Sequence, residues 1–149
     1  MKIVVLAGGL STERDVSLAS GAGICRTLRE NGHDAFLMDV YLGFPYDKDK
    51  VEELFTLPAA GLEIAEGIRT AAPDLDAVKA SRADQSDCYL GPNVIELCRL
   101  ADIVFMALHG DVGENGKLQA TFDVLGIKYT GPNYLGSALA MDKGITKKI

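Results

Sequence analysis

Residues 3–40 read IVVLAGGLSTERDVSLASGAGICRTLRENGHDAFLMDV, and the way this stretch folds decides the rest. Ile3–Ala7 is a short, unbroken apolar run rich in β-branched residues, closed by Gly8-Gly9. Such a run is a strand buried on both faces that ends in a tight turn. From Val16 to Glu30 the pattern turns helical, with Val16, Ser20, Gly23, Ile24, Thr27 and Leu28 predicted to share one face. Gly21 and Gly23 each cost a helix about 1 kcal/mol against alanine, so their presence predicts a close approach of helix to sheet. Asn31-Gly32 is a helix stop, and Asp34–Val40 is a second apolar strand. Strand, helix and strand in that order require a parallel pair joined by a right-handed crossover.

The alternation continues outward. Tyr41–Asp87 is the least readable part: Val51–Phe55 could be a short helix and Ala59–Ala71 or Asp74–Ser81 could hold others, with Pro58 and Pro73 interrupting anything longer. PNVIELCRLAD (92–102) is a helix with Val94, Leu97, Cys98 and Ala101 on one side, and Ile103–Leu108 is a further buried strand. Leu118–Leu125 is a helix with Leu118, Phe122 and Leu125 inward, stopped by Gly126. IKYTGP (127–132) is predicted as a fourth short strand, and Asn133 caps a helix that runs toward the end of the sequence. The fold class is therefore α/β: an open, mainly parallel, Rossmann-like sheet with helices on both faces. We divide the chain into an α/β domain over residues 1–132 and a linking helical segment over 133–149.

Bulk properties narrow the function. The 149 residues are 48% hydrophobic and 24% charged, the composition of a folded domain that buries roughly 70% of its unfolded surface. A net charge of −6 and the absence of a basic stripe argue against nucleic acid as a partner. The opening apolar run is too short for a signal peptide or a membrane span, so no membrane insertion is expected. Cys25, Cys88 and Cys98 are odd in number and form no CxxC, which points to reduced thiols in a cytoplasmic protein, Cys25 and Cys98 as small core residues. His33 and His109 lack the spacing of a structural zinc site.

Ligands of open α/β sheets bind in the loops beyond the C-terminal strand ends. Two polar glycine loops lie there, GGLSTERD (8–15) and HGDVGENG (109–116). Neither is a standard phosphate loop. A dinucleotide fingerprint would need glycine where Leu10 stands, which leaves Asp39, placed like a ribose-binding acid, without its partners. A P-loop ending at Lys117 would need glycine at Asp111 and a hydroxyl at Leu118. Glu13, Asp15, Asp111 and Glu114 would repel phosphate and would attract an amine. The loops suit a small, partly cationic ligand.

HGDVGENGKLQA (109–120), GGLSTERDVSLASG (8–21) and YTGPNYLGSALAMDKGITKK (129–148), in that order, resemble the D-alanine–D-alanine ligases of the ATP-grasp superfamily. The resemblance covers the amino-terminal third to half of such an enzyme. It implies ATP-dependent joining of two D-alanines for peptidoglycan through an acyl phosphate and a tetrahedral intermediate. It implies that Glu13 holds the ammonium of the first D-alanine, that Val16 lines the same pocket and that Ser17 supports Glu13. His109 would orient the reacting carboxyl or steady charge on it. Gly110, Gly113, Glu114, Asn115, Gly116 and Gln119 would brace the histidine loop, and Lys143 would contact ATP phosphate. The ligands of Mg2+ or Mn2+ would lie in an ATP-grasp half not contained in these residues, so no metal and no tightly held ATP are expected here, and these residues alone are expected to be inactive. The family also implies a homodimer through this half.

Two readings of another class stay open. The domain could be a non-catalytic dimerisation or docking module, or a free-standing nucleotide-binding α/β domain, the latter weakened by the glycine spacings.

Overall fold

The computed structural model describes residues 1–44, 51–56 and 72–149. β1 (Lys2–Ala7), β2 (Asp34–Asp39) and β3 (Ile103–Met106) form a parallel sheet in the order β2-β1-β3. α1 (Arg14–Glu30) crosses from β1 to β2. Beyond β2 come α2 (Val51–Thr56), α3 (Leu75–Ser81) and α4 (Val94–Leu100). After β3 follow α5 (Asp111–Glu114), α6 (Lys117–Leu125), α7 (Tyr134–Met141) and α8 (Lys143–Thr146). The expected helix over 59–71 lies outside the described residues.

β1 is apolar along its length because both of its faces are covered. Val4 and Leu6 pack with Phe36, Phe55, Leu97, Leu118 and Phe122 on one face. Ile3, Val5 and Ala7 meet Leu18, Ala22 and Cys25 of α1 on the other. The register sets Val4 level with Phe36 and Val104, so the three strands end together and their following loops emerge side by side. Cys25 and Cys98 are core residues, while Cys88 is exposed. Burial pushes the Cys98 thiol up to about 12. Gly126 closes α6 in the left-handed conformation, and the Asn133 side chain accepts the Gly136 amide at the start of α7. Among the described residues no helix is long and apolar enough to cross a membrane.

Two expectations are corrected. The buried side of α1 is Arg14, Ser17, Leu18, Gly21, Ala22 and Cys25, not the stripe headed by Val16, which is 40% exposed. Small residues outweigh hydropathy here because the helix lies so close to the sheet. A Cβ placed on Gly21 would come within 2.8 Å of the Ala7 Cβ and 2.9 Å of Leu37 Cδ1, whereas one on Gly23 would meet nothing within 4 Å. The two glycines therefore differ in kind. Gly21→Ala is expected to destabilise the chain by about 1–3 kcal/mol through overpacking, and Gly23→Ala to stabilise it by about 0.5–1 kcal/mol through helix propensity. Urea unfolding of both variants checks the opposite signs.

The second correction concerns IKYTGP. The segment runs beside β3 but makes only a single parallel bridge, Val104 to Tyr129. Val104 N–H donates to the Lys128 carbonyl at 2.8 Å, and Thr130 N–H to the Val104 carbonyl at 3.0 Å. The Met106 amide is then taken by the Thr130 hydroxyl at 3.1 Å rather than by a backbone carbonyl. The side chain ends the ladder before a fourth strand forms, and β3 itself stops at Met106 instead of Leu108.

Candidate functional site

β1 ends in Gly8 and Gly9, both at positive φ, and the chain turns there toward the start of α1. The turn is tied down at once. Gly8 N–H donates to the Ser17 hydroxyl at 2.9 Å, and that hydroxyl donates to the Ala107 carbonyl at 2.7 Å. One fully buried serine thus joins the ends of β1 and β3. Its hydroxyl is committed to the two strands, and its backbone N–H donates to the Glu13 carbonyl at 3.0 Å.

Ser11 joins the two polar loops. Its hydroxyl accepts the Glu13 N–H at 3.2 Å and donates to the His109 carbonyl at 2.8 Å. The consequence is visible at Gly110, where a Cβ would lie 3.4 Å from the Ser11 hydroxyl and 3.6 Å from Glu13 Oε2. The Glu13 carboxylate therefore rests against the backbone that follows His109. Glu13 is exposed, His109 is half-buried, and among the described residues neither side chain has a hydrogen-bond partner. Val16 is exposed in the first turn of α1, three residues beyond Glu13.

The histidine loop is braced from within. Glu114 Oε2 accepts the Gly110 N–H at 2.9 Å, and Gln119 Nε2 donates to the Gly113 carbonyl at 2.8 Å. Asn115 accepts the Lys117 N–H at 3.1 Å and donates to Asp111 at 3.2 Å. Gly113 packs on Leu108, and Gly116 lies against the Tyr134 carbonyl, where a side chain would collide with backbone. The Glu114 carboxylate, the Asn115 amide and the Gln119 amide nitrogen are engaged with the loop itself, while Gln119 Oε1 is buried without a partner among the described residues.

A third loop borders the same place. Asp39, at the end of β2, pairs with Arg14, and both residues are buried, at 2% and 6% exposure. Its placement as a ribose-binding acid is excluded by that pairing, since the carboxylate is spent. Tyr89 reaches across from the segment before α4, and its hydroxyl accepts the Leu10 N–H at 3.3 Å. Burial, the largest cause, raises the pKa of that phenol. Arg82 holds the Tyr89 segment in place by donating to the Cys88 and Leu90 carbonyls and to Asp84, and its guanidinium stacks 4.8 Å from the centre of the Tyr41 ring.

Sequence reasoning missed Ser11, Arg14 and Tyr89. Arg14 stands next to Glu13 in the matched motif, which was a usable signal. Tyr89 carries no local pattern at all. Lys143 begins α8, which packs against α7, and it is exposed. A hollow of about 340 Å3 behind the histidine loop is lined by Glu114, Gln119 and Ser137, and one of about 920 Å3 lies at the opposite ends of the strands. Neither contains Glu13 or His109; the notch is the meeting place of their two loops, which Ser11 joins beyond the strand ends. Among the described residues no cluster of three or more His, Cys, Asp or Glu side chains could hold a metal. On α1 and α4 the large apolar side chains left exposed are Val16 and Leu100.

Residues 2–132 match the family described as "D-ala D-ala ligase N-terminus". The chain is similar to the D-alanine–D-alanine ligase of Lacticaseibacillus casei, with 47% identity over all of this chain and 41% of that protein. It is similar to the ligase of Pediococcus pentosaceus, with 44% identity over all of this chain and 42% of the other. Among solved structures it resembles the D-alanine–D-alanine ligase of Bacillus anthracis complexed with ATP, with a TM-score of 0.58 and 26% identity over 99% of this chain and 35% of that one. The chain thus spans about two fifths of the length of the curated relatives it matches.

Proposed function

Because the chain belongs to the D-Ala–D-Ala ligase N-terminus family, we propose that its notch at the strand ends is the site of the first D-alanine in an ATP-dependent ligase that makes the D-Ala–D-Ala dipeptide. The observation that supports this best is the Ser11 bridge, which sets the Glu13 carboxylate against the peptide that follows His109. A D-amino acid carries a cation and an anion on one carbon. A carboxylate on one loop and an imidazole on the loop that Ser11 joins to it, both without a hydrogen-bond partner among the described residues, suit both.

Glu13 accepts from the ammonium in a charge-assisted hydrogen bond. His109 donates to the carboxyl end, orienting it and steadying the negative charge that grows on its oxygen when the second amine attacks. Val16, exposed beside Glu13, lines the wall. Ser17, Glu114, Asn115 and Gln119 hold the frame. ATP supplies the phosphoryl group that activates the first carboxyl. Lys143 suits a phosphate contact, being an exposed ammonium with no ion-pair partner among the described residues.

The test is a chimaera in which residues 1–149 replace the matching part of the Lacticaseibacillus casei ligase. It is expected to release ADP and form dipeptide when given D-alanine, whereas the 149-residue chain by itself is expected to release none. A folded chimaera without D-alanine-dependent ADP release would contradict the reading. Within it, Glu13→Gln keeps the shape and removes the charge. The Michaelis constant for D-alanine is expected to rise about 10- to 100-fold, the worth of one hydrogen bond to a charged group, and the constant for ATP to stay unchanged. Steady-state kinetics with each substrate varied in turn reads both.

A further inference from the structure

We propose that Arg14 and Asp39 form a positioning pair that fixes the height and the free charge of Glu13; the functional part of this proposal rests on Glu13 being the ammonium site. Arg14 follows Glu13 directly in the chain, yet its side chain turns away from solvent and under the loop. Nη1 donates to the Gly9 carbonyl at 2.7 Å, and Nη2 pairs with Asp39 Oδ2. Asp39 Oδ1 in turn accepts the Tyr41 N–H at 2.8 Å and the Leu42 N–H at 3.0 Å. One guanidinium therefore gathers the start of the Gly8–Glu13 loop, its end and the turn after β2.

The location is unfavourable for a cation. Arg14 opens a helix, where the macrodipole opposes positive charge, and it is desolvated. A pair kept at such a place is poor evidence for stability and better evidence for a defined geometry. The geometry it defines is that of Glu13. Two diverging donors of a planar fork reach two acceptors at once, which the single nitrogen of lysine cannot do in the same arrangement. The carboxylate has its own space because Gly8 has no side chain: a Cβ there would fall 2.5 Å from Asp39 Oδ2.

Charge gives a second consequence. Arg14 is the cation nearest in sequence to Glu13, and by engaging it Asp39 leaves the Glu13 carboxylate uncommitted. An ammonium ligand then meets a free anion rather than one already paired.

The test uses Arg14→Lys, which keeps the charge and loses the fork, and Asp39→Asn, which keeps the Oδ1 acceptor and loses the anion. Hydrogen exchange on the 149-residue chain is expected to be about tenfold faster at the Leu10 and Glu13 amides in both variants, with the β1 amides unchanged, the signature of local opening. In the chimaera, both are expected to raise the Michaelis constant for D-alanine about tenfold while leaving kcat and the constant for ATP within about twofold, as loss of ground-state binding does. Unchanged exchange at Leu10 and Glu13 would overturn the proposal. So would a lower melting temperature accompanied by an unaltered constant for D-alanine, because a merely structural pair changes how much enzyme is folded and not how the folded enzyme binds. If the unsubstituted chimaera fails to ligate, or Glu13→Gln leaves it unaffected, the ammonium reading fails, and the exchange result still decides whether the pair holds the loop.

Discussion

His109→Ala is expected to lower kcat of the chimaera by about 10²–10³, the usual loss when one donor to a developing oxyanion is removed. The structure makes this an unusually clean substitution. All the bonds that shape the loop around His109 use its backbone or its neighbours. Ser11 donates to the His109 carbonyl, Glu114 accepts the Gly110 N–H, and Gln119 donates to the Gly113 carbonyl. The imidazole itself has no hydrogen-bond partner among the described residues, so its removal leaves the frame intact. The melting temperature is therefore expected to stay within a degree or two of the parent, since a surface change away from the core is worth about ±0.5 kcal/mol or less. A fall in kcat without a fall in stability separates a chemical role from a structural one. Single-turnover kinetics on the folded variant would locate the loss in the chemical step, and an unchanged kcat would remove His109 from the mechanism.

Asp39→Ala carries the largest expected effect on stability, a loss of about 3–5 kcal/mol. Truncation leaves the Arg14 guanidinium buried without its anion, and it also strips the Tyr41 and Leu42 amides of their shared acceptor. Domains of this kind have only about 5–15 kcal/mol in hand, so the variant should unfold at a far lower urea concentration or fail to accumulate. Asp39→Asn also leaves the guanidinium without its anion, and should recover only the part of the cost that belongs to the two backbone groups, for which its amide oxygen can still accept. The contrast between the two variants, read from urea midpoints, measures how much of the cost comes from the unpaired charge and how much from the orphaned amides.

The sheet was legible because its strands are apolar on both faces, a pattern that needs no partner to be recognised. Helix ends were legible where a single residue sets them, as at Gly126 and Asn133. The buried side of α1 was not, because Ser17, Gly21, Ala22 and Cys25 are chosen for closeness to Ala7 and Leu37 and carry little hydropathy. IKYTGP looked like a strand by composition, but the Thr130 hydroxyl takes the place of the next ladder bond. For the notch, the motifs singled out Glu13 and His109, and the fold places their loops in contact. Ser11 and Arg14 were overlooked for a common reason. Each looks like an ordinary solvated residue until its partner, His109 for one and Asp39 for the other, is brought to it by a different strand. Tyr89 depends in the same way on Arg82 folding the segment before α4 against Tyr41.

The central claim is that one D-alanine spans the notch between residues 13 and 109, and a crystal structure of the chimaera soaked with D-alanine tests it most directly. The account requires the amino group within hydrogen-bonding reach of a Glu13 oxygen, about 2.7–3.2 Å, with the carboxyl group turned to the His109 imidazole. D-alanine bound elsewhere in the molecule, with the Glu13 carboxylate still facing solvent, would contradict it.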